Sequence, residues 1–222
     1  MIYICSMIKY IFFDFNGTII DDVDLCLELL NKLLKSQNKP TFDIDGYKKI
    51  FTFPIIKYYE AAGIDFSIES FESLAIKFIN EYQPRSLECG LYPGIKDTIK
   101  YFKDKGIKTY ILSASEKNNL KEQCKHYNIV DIFDDILGID NIHASSKMSI
   151  ALDYVKKNNI NTNEAIFIGD TLHDYEVGKG LGMKCFLVCC GHQSKSVLQS
   201  ANVPILETIN DLRRIIDNEN NF

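Results

Sequence analysis

The sequence predicts an α/β fold: a Rossmann-like parallel sheet flanked by helices, interrupted by an inserted α-helical domain. Three observations point there. Short apolar, β-rich runs recur along the chain, each gives way to Ser, Gly, Asp or Asn, and helical stripes separate them. In such βαβ arrangements helices cover both sheet faces, and functional loops gather at the carboxyl ends of the strands.

Taken in order, residues 8–13 form the first run, which stops at the loop formers Asp14-Phe15-Asn16-Gly17-Thr18. Similar strands are expected at 107–112, 165–168 and 185–188. Between them, Ile95, Ile99 and Phe102 follow Pro93-Gly94 at helical spacing, as do Met148, Leu152 and Val155. Residues 22–88 break the rhythm. They carry helical stripes such as Val23, Leu27, Leu30 and Leu34, or Phe71, Leu74 and Phe78, with no convincing strand, and Asp21 or Asp22 is a fair N-cap for the first helix. The expected organisation is a core of residues 1–21 and 89–222 with a helical cap of residues 22–88. The polar tail at 217–221 is expected to fray.

Of 222 residues, 46% are hydrophobic and 25% charged, which excludes a disordered or fibrous chain. With 25 Lys and Arg against 30 Asp and Glu, the net charge of −5 leaves no basic field for nucleic acid. The seven cysteines form no C-x-x-C pair and read as reduced, mostly buried thiols, with Cys185, Cys189 and Cys190 packing instead of binding metal. No secretory leader or membrane-length apolar run is legible, so a cytoplasmic protein without membrane partners is expected. Monomer and homodimer both remain open.

The chemistry concentrates at strand ends, in the Asp14 loop, Ser113-Ala114-Ser115, Lys147, and Gly169-Asp170-Thr171-Leu172-His173-Asp174. On a parallel sheet these segments face one crevice, which Lys147 reaches from the loop before its helix. Asp14, Asp170 and Asp174 converging there could not all stay ionised without a cation, and oxygen-only donors suit Mg²⁺. Ser113, Lys147 and the N–H groups after Ser113 could take the charge of a phosphoryl group. His173 could be a proton donor, or simply pack at its helix start. His143 and His192 read as loop residues, and His126 falls late in a helix.

In this order the four segments resemble the haloacid dehalogenase superfamily, specifically its phosphatases with a small helical cap. Tyr92-Pro93-Gly94 and the following helix resemble the phosphoglycolate-phosphatase-like branch. The resemblance spans roughly residues 8 to 216. It implies a Rossmann-like core, a cap closing over the site, and a phosphatase acting on a small phosphorylated metabolite. It makes Asp14 nucleophile and metal ligand, the residue 16 carbonyl and Asp170 further Mg²⁺ ligands, and Asp174 a support through water. Ser113, with Ala114 beside it, and Lys147 would hold phosphoryl oxygens, and Thr18 would serve the turn or the substrate.

One departure stands out. The family's phosphatases carry a second aspartate two residues after the nucleophile, and this chain has Asn16, whose amide can neither protonate a leaving oxygen nor activate water. Three readings follow: a slow or specialised phosphatase, a superfamily member cleaving C–P or C–halogen bonds, or a catalytically weak module that binds a phospho-ligand. The phosphonate enzymes use a cap lysine, for which Lys32, Lys48, Lys49 and Lys57 are available. Phe51, Phe53, Tyr58 and Tyr59 could line a cap pocket or form its core.

Overall fold

The computed structural model describes residues 7–139 and 146–220; Cys5, His143 and Asn221 lie outside them. The elements run β1 (Tyr10–Phe13), β2 (Ile20–Asp21), α1 (Val23–Ser36), α2 (Ile44–Ile50), α3 (Ile55–Ala62), α4 (Phe71–Ser86), β3 (Gly90–Leu91), α5 (Ile95–Asp104), β4 (Lys108–Glu116), α6 (Lys117–His126), β5 (Asp135–Ile139), α7 (Lys147–Lys157), β6 (Ala165–Gly169), α8 (Leu172–Gly180), β7 (Lys184–Val188), α9 (Lys195–Leu198), β8 (Ile205–Leu206) and α10 (Asp211–Asn220). Six strands form one sheet in the order β5-β4-β1-β6-β7-β8, every neighbouring pair parallel. β1 and β6 are therefore central neighbours, and their carboxyl ends emerge side by side.

Period-two alternation divides the core. Ile11 and Phe13 pack with Ile99 and Phe102 of α5 and Leu212 and Ile216 of α10, whereas Phe12 joins Ala151 of α7 and Val177 of α8 on the other face. Burying each such side chain contributes about 1.5–3 kcal/mol.

Between β2 and β3 the chain is helical. α1 to α4 enclose a hydrophobic cluster of their own, built on Leu30, Leu34, Tyr47, Phe51, Tyr58 and Leu74. Asp43 and Ser70 cap α2 and α4 through their side chains, and α3 ends at Gly63, whose φ of 87° suits glycine. The antiparallel pair β2–β3 ties the two ends of the segment together.

Several expectations are corrected. The strand expected at 107–112 continues through Ser113 to Glu116, with its register against β5 shifted between Leu112 and Glu116. In α7, Leu152 of the expected inward stripe is 49% exposed, while Lys147 and Ala151 are buried. The stripe is turned because Lys147 must face the sheet's carboxyl end. The tail is helical to Asn220, whose amide clasps the Ile8 N–H and C=O. Of the six described cysteines, all free, Cys124 and Cys185 are buried and the other four are half-buried. No described helix is long and apolar enough to cross a membrane.

The join of β6 to α8 has no space to spare. A Cβ on Gly169 would lie 2.3 Å from the Asp174 Cβ and Cγ. Gly169→Ala is therefore expected to lower stability by about 1–3 kcal/mol in urea denaturation.

Candidate active site

Asp14 directly follows β1, and its N–H donates to the Ile168 carbonyl of β6 at 2.8 Å. Asp170 directly follows β6. Asp174 stands at the third position of α8, where it forms a capping box with Thr171. The three carboxylates each bring one oxygen within 4.8 Å of the others. Lys147, the first residue of α7 and not part of the preceding loop, spans them. Its Nζ is 2.5 Å from Asp14 Oδ1 and 2.6 Å from Asp174 Oδ1.

The charges do not balance. Burial, reinforced by Asp174 and Asp170, pushes the Asp14 carboxyl well above the usual range even against Lys147. Burial also pushes Asp170 up to about 6. Burial works against the charged forms of Asp174 and Lys147 too, but their ion pair holds Asp174 low and Lys147 high. Three buried carboxylates facing one ammonium, with oxygen the only donor, match what a hard divalent cation needs.

The serines and Asn16 form the next layer. Ser113 Oγ accepts from the Ser115 N–H and donates to Ser115 Oγ, both at 3.0 Å, and Ser115 Oγ donates to Asn16 Oδ1 at 3.0 Å. The Asn16 amide donates to Asp22 Oδ2 at 2.9 Å and to the Tyr82 hydroxyl at 2.6 Å. Asp22 stands at the N-cap of α1 without capping it. Its carboxylate instead accepts from the Gly17 N–H and the Tyr82 hydroxyl, and lies 3.3 Å from His192 Nε2. The His192 Nδ1 meets the Tyr47 hydroxyl at 2.7 Å, and its backbone N–H donates to Asp170 Oδ2 at 2.6 Å. Although burial opposes the charged ring, Asp22 and Asp170 raise His192 to about 9.

Above the carboxylates lies a cavity of about 400 Å³, within the usual range for small-ligand sites. Asp14, Ser113, Ala114, Lys147, Asp170 and Asp174 line it, and residues 22–88 supply its aromatic walls. Thr18 is absent from that lining. It is buried, and its hydroxyl donates to Asp170 Oδ1 at 3.3 Å. His173 faces the cavity and stacks on Phe53, ring centroids 4.7 Å apart, which is the packing alternative. None of Lys32, Lys48, Lys49 and Lys57 lines the cavity. Lys32 pairs with Glu81, Lys57 with Glu60, and Lys48 donates to the Cys190 carbonyl.

The sequence points to Asp22 only as a helix cap and to His192 only as a loop residue, and it does not single out Tyr47 or Tyr82. Contacts joining residues 60 to 145 positions apart have no local period to betray them.

The fold and this strand-end cluster of acid, lysine and serine define a Rossmann-like hydrolase. The family model for haloacid dehalogenase-like hydrolases matches residues 11–188, and the chain belongs to that family. It is 25% identical to a phosphoglycolate phosphatase of Pseudomonas fluorescens over 220 residues, covering 94% of this chain and 78% of that protein. A predicted phosphatase from Clostridium acetobutylicum superposes with a TM-score of 0.79 at 21% identity, covering 95% of this chain and 99% of the other. CbbY from Rhodobacter sphaeroides in complex with phosphate gives 0.68 at 19% identity, over 93% and 96%.

Removing the ammonium should be costly. Lys147→Met leaves two buried carboxylates unpaired and is expected to lose about 3–5 kcal/mol of stability in the absence of divalent cations, read by chemical denaturation. Tyr82→Phe strips one donor from buried Asp22 and should cost about 1–3 kcal/mol in the same assay.

Proposed function

We propose that the chain is a Mg²⁺-dependent phosphohydrolase acting on a small phosphorylated metabolite through an aspartyl-phosphate at Asp14. Residues 22–88 form its cap domain over a core of residues 1–21 and 89–222, and its setting is the cytoplasm. One observation carries the reading: a buried carboxylate, Asp14, is oriented by Lys147 in the lining of a cavity in a chain of the haloacid dehalogenase-like hydrolase family.

Asp14, Asp170 and the residue 16 carbonyl would hold Mg²⁺, which would neutralise charge on the phosphoryl oxygens. Asp174 would support that ion through water, and it also positions its neighbours. Its Oδ1 holds Lys147, and its Oδ2 accepts from the Thr171 hydroxyl and the N–H groups of residues 170 and 171. It thus fixes both the lysine and the loop that carries Asp170. Lys147 and the Ser113 hydroxyl stabilise the phosphoryl oxygens as charge builds on them.

In the first step an Asp14 oxygen bonds to phosphorus, and the ester P–O bond breaks with its electron pair going to the leaving oxygen. In the second, a water oxygen bonds to phosphorus and the Asp14–phosphorus bond breaks, regenerating the carboxylate. The water's protons pass to solvent and to the departing phosphate. Asn16 contributes no proton to either step. The absence of a cap lysine from the cavity argues against carbon–phosphorus chemistry.

Phosphate release from aryl and sugar phosphates should therefore require Mg²⁺ and vanish in Asp14→Asn; release unaffected by either change would overturn the reading. Asn16→Asp would set two carboxyl groups about as close as the present 2.9 Å contact, so that one keeps its proton and can donate it. That variant is expected to hydrolyse alkyl phosphates about 10²-fold faster, within the usual range for general acid–base help. In the wild type, intact mass after rapid acid quench should show a phosphorylated chain that is missing in Asp14→Asn.

A further inference from the structure

Resting on the phosphatase reading above, we infer that the substrate's leaving group is an uncharged aromatic: the cavity takes an aryl phosphomonoester, not an ester that carries a second anion, as phosphoglycolate does. Three independent features converge on this.

The first is the placement of cations. Among the described residues, Lys147 is the one lysine or arginine that lines the cavity, and both its close partners are carboxylates at the floor. Residues 140–145 contain no lysine or arginine either. His192 is engaged by Asp22 and Tyr47, and the His173 ring lies flat against Phe53. The remaining charged group of the lining outside the floor and the Asp22 network is Glu116. A carboxylate or second phosphate placed above the reacting phosphorus would meet no lysine or arginine counter-charge beyond Lys147, which discriminates against it.

The second feature is the shape and polarity of the walls. On α4, Phe71, Ala75, Phe78, Ile79 and Tyr82 recur at helical spacing and all face the cavity. Phe78 and Tyr82 stack nearly parallel, 10° apart with centroids at 5.5 Å, and Phe51 and Phe53 add two more aromatic rings to the lining. Flat apolar side chains of this kind recognise an aromatic ring by area and ring geometry.

The third is Asn16. When the ester bond to phosphorus breaks, the leaving oxygen keeps the electron pair, and no proton comes from residue 16. An aryloxide tolerates that charge until solvent protonates it; an alkoxide does not.

The test uses the full chain with Mg²⁺ and four esters: phenyl, benzyl and propyl phosphate, and 2-phosphoglycolate. Phenyl phosphate is expected to exceed 2-phosphoglycolate by about a hundredfold or more in kcat/KM. Benzyl and propyl phosphate have similarly poor leaving groups, so a preference for benzyl of about tenfold, expressed in KM, reports the walls alone. Ile79, 46% exposed at the rim, offers a complementary variant. Ile79→Arg should lower the phenyl-to-phosphoglycolate ratio by about fivefold by supplying a cation. Equal use of 2-phosphoglycolate, or of propyl and benzyl phosphate, would overturn the aromatic assignment and leave the phosphatase reading standing. Failure of all four esters to give Mg²⁺-dependent, Asp14-dependent phosphate would remove both.

Discussion

Three buried carboxylates, at the ends of β1 and β6 and the start of α8, repel one another, and the ammonium of Lys147 offsets part of that repulsion by pairing with two of them. Its reach to Asp14 and Asp174 joins the end of β1 to the start of α8, and its position as the first residue of α7 fixes how that helix lies on the sheet. The rotated face of α7, with Lys147 inward and Leu152 outward, follows from that demand. So does Gly169, since Asp174 must fold back over the end of β6 with no room for a side chain between. A core built only for burial would have turned Leu152 inward. The local pattern yields because a buried, unpaired charge costs more than one exposed leucine.

The loop after β7 extends this constraint to the walls. Its residues bind both sides: the His192 N–H holds Asp170, while Gln193 donates to the Phe51 carbonyl and accepts from the Leu172 N–H. Lys48 of α2 reaches the Cys190 carbonyl, and the Ser194 N–H reaches the Lys48 carbonyl. A Cβ at Gly191 would meet Asp170 Oδ2 at 2.2 Å and the Gly17 carbonyl at 2.4 Å, so the loop presses directly on the motif beneath it. The aromatic walls and Asp170 are thus both held by one short segment.

What the sequence made legible divides along the same physical line. Asp14 and Asp170 could be placed because each adjoins an apolar strand, and a parallel sheet sends all such ends to one side; Asp174 follows Asp170 in the same short segment. Lys147 could be assigned to the crevice but not to a helix start, because the apolar stripe of its helix begins one residue later, at Met148, and the Ser146 cap precedes it. Ser113 was expected beyond its strand and lies within it, since pairing with β5 resumes at Glu116 after an irregularity that no residue pattern announces. The Thr18 hydroxyl, expected at the turn or the substrate, donates to Asp170 at the edge of the site, a contact 152 positions away in the chain that no local pattern announces. The aromatic residues of the insert were ambiguous between core and pocket, and they are both. Phe51, Tyr58 and Tyr59 belong to the insert's cluster while also lining the cavity.

Asn16 and Asp22 have to be understood together. Asn16 in the motif loop gives its amide hydrogens to Asp22 and Tyr82, and Asp22 is closed on its other side by His192. A second ionised carboxylate at position 16 would confront Asp22 across a hydrogen-bond distance with no cation between them. The amide therefore stabilises a network that spans the motif loop, α1, α4 and the loop after β7, at the cost of a proton donor beside the phosphoryl site. Tyr82 belongs to that network through its hydroxyl and to the cavity wall through its ring. The same side chain that makes a neutral residue 16 favourable thus also shapes the space for the leaving group. Tyr82 thus joins the neutral residue 16 to the aromatic wall, so that in the proposed mechanism the demand for a stable leaving oxygen and the preference for a flat, uncharged ring would meet at one side chain.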